Sequence, residues 1–472
     1  MNGRDREKHL LKNTGILAVG TICSKVVSFF LLPLYTAVLS TEDYGISDLI
    51  QTITYLLLPF VGLQLCAGVF RLTLERNSPE GKREVISTGV LVQLSMTAGF
   101  SLTVLLLGSA IYIPYRGIFV FYFASMLFGE IVTGVVRGLG RNGVYSFTGF
   151  LNTAIFIGLN LILILRLGWG GESILISLAV GTDVSGVVAL LCVRFGDYFH
   201  IRSFSRKTCR ELVRYSRSLI FNAVSWGIVN VSDRMLISWL LGVNENGIYA
   251  VANKIPVIYT TLFTAFDQAW VESLSLGADT ENQEAYINEM LQKALKFLGS
   301  ICLGIICCMS LIFKYLIGPD FAESYPHIFL LMLAVYVNSV CSLLGGIAIA
   351  YKDTAILSGS TVVGATANLI INLGLIRFVG LYAASLSTLL SYLLIMIVRQ
   401  RGLKKHIHMQ WPWRYIAELL AMTVLTAAGY FSRIFALNAV ILVILLIWSI
   451  LRNRETLRVI LSTLRKKGID TE

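Results

Sequence analysis

Several charged residues, Asp48 and Glu130 among them, lie inside stretches of sequence that are otherwise apolar enough for a lipid bilayer. The five that are hardest to explain by a position near the end of a span are Lys25, Asp183, Asp233, Arg234 and Lys254. A charged side chain that faces lipid costs several kcal/mol, so we expect these five to face a protein interior or water. There the cations would bind an anionic headgroup and the carboxylates would hold a cation. For each of them, a buried ion pair that only joins two helices is the alternative.

Asp233 and Arg234 are neighbours in the sequence and therefore point about 100° apart on a helix, too far for a mutual bridge. We expect Asp233 to meet a cation of another helix and Arg234 to point into a cavity. Lys314, Glu272 and Arg137 lie near the ends of apolar stretches, where they would extend to lipid headgroups.

Amide side chains on nearby helices would suit the hydroxyl groups of a sugar. The candidates are Asn222, Asn368 and Asn372, with Asn230 and Asn338 close to them. Hydrogen bonds between helices are the more frequent use of an amide in a membrane protein, and they remain an alternative here.

The elements that position these residues follow from the composition. The chain has 472 residues, of which 56% are hydrophobic and 14% charged, which is typical of a polytopic membrane protein. The net charge of +11 resides in short clusters between apolar runs. We therefore expect no nucleic-acid partner, and the eight cysteines show no spacing typical of a disulfide framework or a metal site.

Apolar runs of about 20 residues indicate membrane-spanning helices. Fourteen such runs lie near 12 to 39, 44 to 70, 85 to 111, 117 to 137, 146 to 166, 172 to 194, 216 to 241, 247 to 274, 294 to 317, 327 to 350, 356 to 376, 381 to 399, 415 to 433 and 435 to 451.

The distribution of the 39 lysine and arginine residues predicts the topology. One set of alternate connections, which includes both termini, holds most of them, and the opposite set holds only Arg116, Arg166, Arg377 and Arg433. The positive-inside rule therefore places both termini in the cytoplasm, and we expect a multi-pass protein of the cytoplasmic membrane.

A weak internal repeat has an offset of 202 residues. It aligns Leu34, Leu39, Gly45, Ile46 and Ile53 with the corresponding residues from Leu236 to Ile255. In both copies a long helix ends in Leu, a short acidic turn follows, and Gly opens the next helix. The repeat predicts an all-α fold of two pseudo-symmetric lobes, residues 1–200 and 201–402, plus two further spans and a basic tail in residues 403–472. Such symmetry is typical of transporters.

Two segments carry a resemblance to a known family. They are "NTGILAVGTICSKVVSFFLLPLYTAVLSTEDYGISDL" and "SDRMLISWLLGVNENGIYAVANKIP". With the fourteen spans and the repeat, they resemble the Wzx-like flippases, the polysaccharide transporter branch of the multidrug/oligosaccharidyl-lipid/polysaccharide superfamily. The resemblance implies a V-shaped pair of lobes that opens to either side in turn and moves a polyprenyl-pyrophosphate-linked oligosaccharide outward.

The resemblance also bears on the candidate residues. Lys25 stands where the related peptidoglycan-lipid flippases tend to have Arg, and Lys keeps the charge without the bidentate phosphate geometry. We expect Lys25, Arg234 and Lys254 to face the translocation cavity and to contact the anionic headgroup. Membrane lipids and glycan-assembly proteins are the other expected partners, and no cofactor is expected.

Two other functions remain open. A cation-coupled multidrug exporter of the same superfamily would have twelve spans and a few buried carboxylates, whereas this chain has fourteen predicted spans and several interior cations. A membrane enzyme acting on lipid-linked glycans would need a nucleophile or an acid–base pair. All five histidines lie in predicted loops, termini or a span edge, so no enzymatic activity is expected.

Overall fold

The structure is a computed structural model that describes residues 29–107, 114–276, 283–456 and Arg458. Within these ranges the chain forms α-helices and short 3-10 turns and no β-strand, which confirms the predicted all-α fold. The α-helices are α1 (Leu32–Val38), α2 (Thr41–Val61), α3 (Leu65–Glu75), α4 (Pro79–Leu107), α5 (Arg116–Gly138), α6 (Asn142–Leu165), α7 (Glu172–Cys192), α8 (Arg206–Leu240), α9 (Val243–Leu276), α10 (Gln283–Leu316), α11 (Ser324–Ala350), α12 (Thr354–Val379), α13 (Leu381–Leu403), α14 (Trp413–Ser432) and α15 (Phe435–Arg452).

Eleven helices of the described part are long and apolar enough to cross a membrane. They are α2, α4 to α7 and α10 to α15, and they coincide with the second to sixth and ninth to fourteenth predicted spans. The seventh and eighth predicted spans lie in the long helices α8 and α9, which carry more polar and charged residues. Most of the first predicted span lies outside the described residues.

The second predicted span is interrupted in the structure. The α2 helix ends at Val61, two residues after Pro59, and α3 begins only at Leu65. Pro59 removes one backbone donor from the helix, and Leu63 and Gln64 both adopt left-handed backbone angles with φ of 48° and 50°. A run of apolar residues does not reveal such a break, because both helices are apolar.

The chain divides into two compact units. Unit 1 comprises Met1–Ser28 and Val38–Gly247, and unit 2 comprises Phe29–Ala37 and Ile248–Glu472. In unit 1 the α5, α6 and α7 helices pack against one another, and α3, α4 and α8 pack beside them. Its core is aromatic and aliphatic, with Phe119, Phe123 and Leu127 of α5 against Leu175 of α7.

In unit 2 the α11, α12 and α13 helices form one group, while α14 and α15 pack against α10. Small and polar residues allow close packing of α13, on which Ser385 and Ser387 are fully buried. The α1 segment joins this unit, since the hydroxyl of Thr36 donates to the carbonyl oxygen of Leu316 at 3.3 Å. The predicted division at residues 200 and 402 stays a prediction.

Candidate functional site

The start of α2 positions the first residue of a polar cluster. Ser40 caps the helix by accepting a hydrogen bond from the backbone N–H of Asp43 at 3.1 Å, and Glu42 and Asp43 lie in the first turn. Acidic residues at this end of a helix interact favourably with its dipole, so the sequence specifies where α2 begins. Because the cap fixes the start of α2, Asp48 lies two turns into the helix, and its side chain is only 6% exposed.

Arg234 of α8 is the partner of Asp48. Its Nη1 atom donates to Oδ1 of Asp48 at 3.0 Å, and the arginine side chain is 25% exposed. A buried carboxylate without a partner would be strongly destabilising, so Asp48 of α2 requires Arg234 of α8 as its partner. The arginine side chain is partly accessible.

Asn246, in the first turn of α9, completes the cluster. Its side chain is fully buried, and Nδ2 donates to the carbonyl oxygen of Gly45 at 3.0 Å and to Oδ2 of Asp48 at 3.4 Å. Both oxygens of Asp48 therefore accept a hydrogen bond, one from Arg234 and one from Asn246. We name Asp48, Arg234 and Asn246 the Arg234 cluster; all three residues belong to unit 1.

Beside this cluster, the first turns of α2 and α9 meet at two glycines. A Cβ atom on Gly45 would lie 1.9 Å from the carbonyl oxygen of Val243, and one on Gly247 would lie 2.1 Å from that of Thr41. These distances are far shorter than a carbon–oxygen contact, so only glycine fits at either position. The two contacts are equivalent in the repeat, because Val243 and Gly247 follow Thr41 and Gly45 by its offset of 202 residues. We name this contact the glycine seam.

The other predicted charged residues lie on several helices. Asp233 is half-buried at the preceding position of α8, and Lys254 is half-buried further along α9. Asp183 of α7 accepts a hydrogen bond from the hydroxyl of Ser125 at 2.8 Å. Lys25 lies outside the described residues.

Of the predicted amides, Asn368 and Asn372 are both buried on α12 in unit 2. The Nδ2 atom of Asn368 lies 3.4 Å from Oγ of Ser387 and 3.5 Å from Oγ1 of Thr388, so this side chain links α12 to α13. That geometry agrees with the alternative use of the amide between helices. Asn222 belongs to α8, and its side chain lies outside what the structure describes.

Unit 1 also contains a cavity of about 600 Å³ among α5, α6 and α7, which we name the Glu130 cavity. Its lining includes the carboxylate of Glu130, the amide of Asn152, and hydroxyl groups of Thr133 and Tyr145. The Cζ atom of Arg137 lies 5.5 Å from the centre of the Tyr145 ring. Such a mixture of acceptors and donors suits a ligand rich in hydroxyl groups.

Sequence reasoning left Asp48 and Asn246 out of the predicted site. Asp48 was recognisable as a charge within a predicted span, but nothing in the sequence linked it to Arg234, which is 186 residues away. Asn246 lies in a short acidic segment of the sequence, now the first turn of α9, where an asparagine is ordinary. The repeat aligns this segment with the segment at the start of α2, but it does not single out Asn246 itself, which corresponds to Tyr44.

Solved structures of two transporter groups share this fold. The lipid II flippase MurJ in an inward closed conformation superposes with a TM-score of 0.70 at 15% identity, over 93% of this chain and 99% of that chain. An inward-facing multidrug resistance MATE family transporter of the MOP superfamily superposes with a TM-score of 0.61 at 14% identity, over 82% of this chain and 99% of that chain. The chain is therefore a multi-span membrane protein with the fold of these flippases and transporters.

The sequence comparisons are more specific. The family described as "Polysaccharide biosynthesis protein" matches residues 10–271, which is more than half of the chain, so this protein belongs to that family. A probable low-salt glycan biosynthesis flippase of Haloferax volcanii is 20% identical over 428 residues, which cover 88% of each chain. The predicted resemblance to the polysaccharide flippases is confirmed, and the relatives named here are flippases and transporters, not enzymes.

Proposed function

We propose that this protein moves a polyprenyl-pyrophosphate-linked oligosaccharide across the cytoplasmic membrane by alternating access, for the synthesis of a cell-surface polysaccharide. The family and the flippase relative support transport of a lipid-linked glycan. The single observation that carries the proposal is the Arg234 cluster. In it a partly accessible arginine side chain pairs with a buried carboxylate, which also accepts a hydrogen bond from Asn246, beside a glycine contact.

The chemistry of the substrate explains why such a cation is useful. A pyrophosphate group carries negative charge into the membrane and needs a cation to offset it, and a guanidinium group can bind two phosphate oxygens at once. When the pyrophosphate binds, it competes with Asp48 for Arg234. The glycan would occupy hydrated polar space, and the Glu130 cavity offers hydroxyl and amide groups for it.

In this proposal the glycine seam is the contact between helices that opens and closes during transport. Four side-chain hydrogen bonds accompany it: Thr41 to Asn244 at 3.2 Å, Asn246 to Gly45, Asn246 to Asp48, and Arg234 to Asp48. All four break when α2 separates from α8 and α9. A ligand that binds Arg234 in place of Asp48 removes one of these bonds from the closed state. It therefore shifts the population toward the open state. By the predicted topology this seam lies on the extracytoplasmic side.

The test is a flipping assay in proteoliposomes. The probe is a short-chain polyprenyl pyrophosphate that carries a disaccharide with a fluorophore, and dithionite quenches the fraction that has reached the outer leaflet. We expect Arg234→Gln, Lys25→Ala and Lys254→Ala to abolish flipping while the protein stays in the membrane. Arg71→Ala is the matched control, because Arg71 is an exposed cation that pairs with Glu75 on its own helix.

A double variant separates substrate binding from structural pairing. Asp48→Asn combined with Arg234→Gln removes both charges and keeps hydrogen-bonding groups of similar shape, so no unpaired charge stays buried. If Arg234 binds the pyrophosphate, the double variant stays inactive. Recovery of flipping in the double variant would show that Arg234 serves only to neutralise Asp48, and normal flipping by all three single variants would refute the proposal.

A further inference from the structure

A second cavity in unit 1 has a different chemistry from the Glu130 cavity. It measures about 420 Å³ and lies among α4, α5, α7 and the turn that follows α7. Its walls are almost entirely apolar and include four aromatic rings: Phe121, Phe128, Phe195 and Phe199. This volume falls within the range of about 300 to 1,000 Å³ that is typical of small-molecule sites.

A single carboxylate lines this cavity. It belongs to Asp183, whose Oδ2 atom accepts a hydrogen bond from the hydroxyl of Ser125 at 2.8 Å. Among the described residues, no lysine, arginine or histidine forms an ion pair with Asp183. One neutral hydroxyl does not offset the charge of a carboxylate against apolar walls, so the site favours a cation.

A buried amide donor lines the same cavity. The side chain of Gln93 is 2% exposed, and its Nε2 atom has no acceptor in the part of the chain that the structure describes. Buried polar groups nearly always have a hydrogen-bond partner, so an unpartnered one at the wall of a cavity indicates a ligand atom that accepts a hydrogen bond. A hydrocarbon chain of a lipid could fill the cavity, but it would leave Asp183 and Gln93 unsatisfied.

We propose that this cavity binds a lipophilic organic cation, such as an aromatic amine or an aryl phosphonium. Asp183 neutralises the positive charge, the four phenylalanine rings contact the apolar body and attract the cation through their faces, and Gln93 binds an acceptor atom where the ligand has one. This site is separate from the Arg234 cluster, which would bind an anion. The proposal therefore stands whether or not the protein moves a lipid-linked glycan.

The experiment compares two probes of the same shape and opposite charge. Tetraphenylphosphonium and tetraphenylborate are equilibrated with the full-length protein in nanodiscs of phosphatidylcholine, and binding to empty nanodiscs is subtracted. The wild type should bind the phosphonium saturably and should bind the borate at least about tenfold more weakly, which corresponds to about 1.4 kcal/mol.

Three variants assign the binding to this cavity. Asp183→Asn keeps the acceptor for Ser125 and removes the charge, so the preference for the cation over the anion should disappear. Ala124→Phe fills the cavity from α5 and should weaken the binding of both probes. Asp320→Asn, which changes an exposed carboxylate in unit 2, is the control and should bind like the wild type.

Two results would overturn the proposal. Saturable binding of both probes with similar affinity, unchanged in Asp183→Asn, would mean that the cavity accepts apolar groups such as lipid chains whatever their charge. Phosphonium binding that survives both Asp183→Asn and Ala124→Phe would place the cation elsewhere on the protein.

Discussion

Replacement of Gly45 by alanine should open the glycine seam. The added methyl carbon would lie 1.9 Å from the carbonyl oxygen of Val243. The closest ordinary carbon–oxygen contact is about 3.3 Å, so the first turns of α2 and α9 must separate by about 1.4 Å at this point. Both contacting groups belong to helix backbones and cannot swing aside as a flexible side chain would.

This separation also removes hydrogen bonds. The bond from Asn246 to the carbonyl oxygen of Gly45 measures 3.0 Å, and a shift of this size takes it beyond hydrogen-bonding distance. Overpacking costs about 1 to 3 kcal/mol and a lost hydrogen bond about 0.5 to 1.5 kcal/mol. If the closed seam loses about 2 kcal/mol, the ratio of closed to open molecules falls about thirtyfold.

Crosslinking measures that ratio. Thr41 and Asn244 contact each other across the seam, so a pair of cysteines at these positions, in a background without the native cysteines, forms a disulfide when the seam is closed. Gly45→Ala should lower the rate and extent of crosslinking, and so should Gly247→Ala, which meets the carbonyl oxygen of Thr41 at 2.1 Å. Gly99→Ala is the control, because no atom lies within 4 Å of a Cβ at that exposed position of α4. Crosslinking of Gly45→Ala at the wild-type rate would refute the reasoning.

Two further predictions concern unit 2. The Nε–H group of buried Arg399 donates to the hydroxyl of Ser360 at 2.8 Å, so Ser360→Ala should lower the free energy of unfolding by about 1 to 3 kcal/mol. Arg399→Met removes the buried charge itself and should leave the free energy of unfolding nearly unchanged. Equal destabilisation by the two variants, measured by unfolding in detergent, would contradict this prediction. Hydrogen bonds from Lys405 and His406 lower the pKa of Asp353, at the start of α12, to about 2, below the value of about 3.9 in an unfolded chain. This contribution to stability is therefore complete above about pH 4 and is lost as the pH falls toward 2, and Asp353→Asn should remove that part of the pH dependence of Tm.

The sequence predicted the helices well because hydrophobic length is a strong signal. Thirteen of the fourteen predicted spans coincide with described helices, since a membrane segment needs about 20 apolar residues whatever its neighbours are. The break between α2 and α3 was not predictable in this way. It depends on the left-handed angles of Leu63 and Gln64, and neither residue type favours them.

The site was predictable only in part. Arg234 stood out because a cation in an apolar segment is costly, but its partner depends on which helix packs against α8. Asp183 was expected at a polar substrate site, whereas the structure places it at the wall of an apolar, aromatic cavity. A helix has several faces, and its sequence shows which residues are charged without showing which neighbouring helix each face meets.

The repeat shows why some functional residues escape sequence comparison. At the glycine seam the two copies are alike: Gly45 corresponds to Gly247, and each lies against the backbone of the other copy. In the Arg234 cluster they differ, since Asp48 corresponds to Ala250, Asn246 to Tyr44 and Arg234 to Leu32. Matching residues across the repeat therefore finds the seam, where symmetry requires the same small residue twice. It does not find Arg234 and its partners, because the two copies carry different residues at these positions.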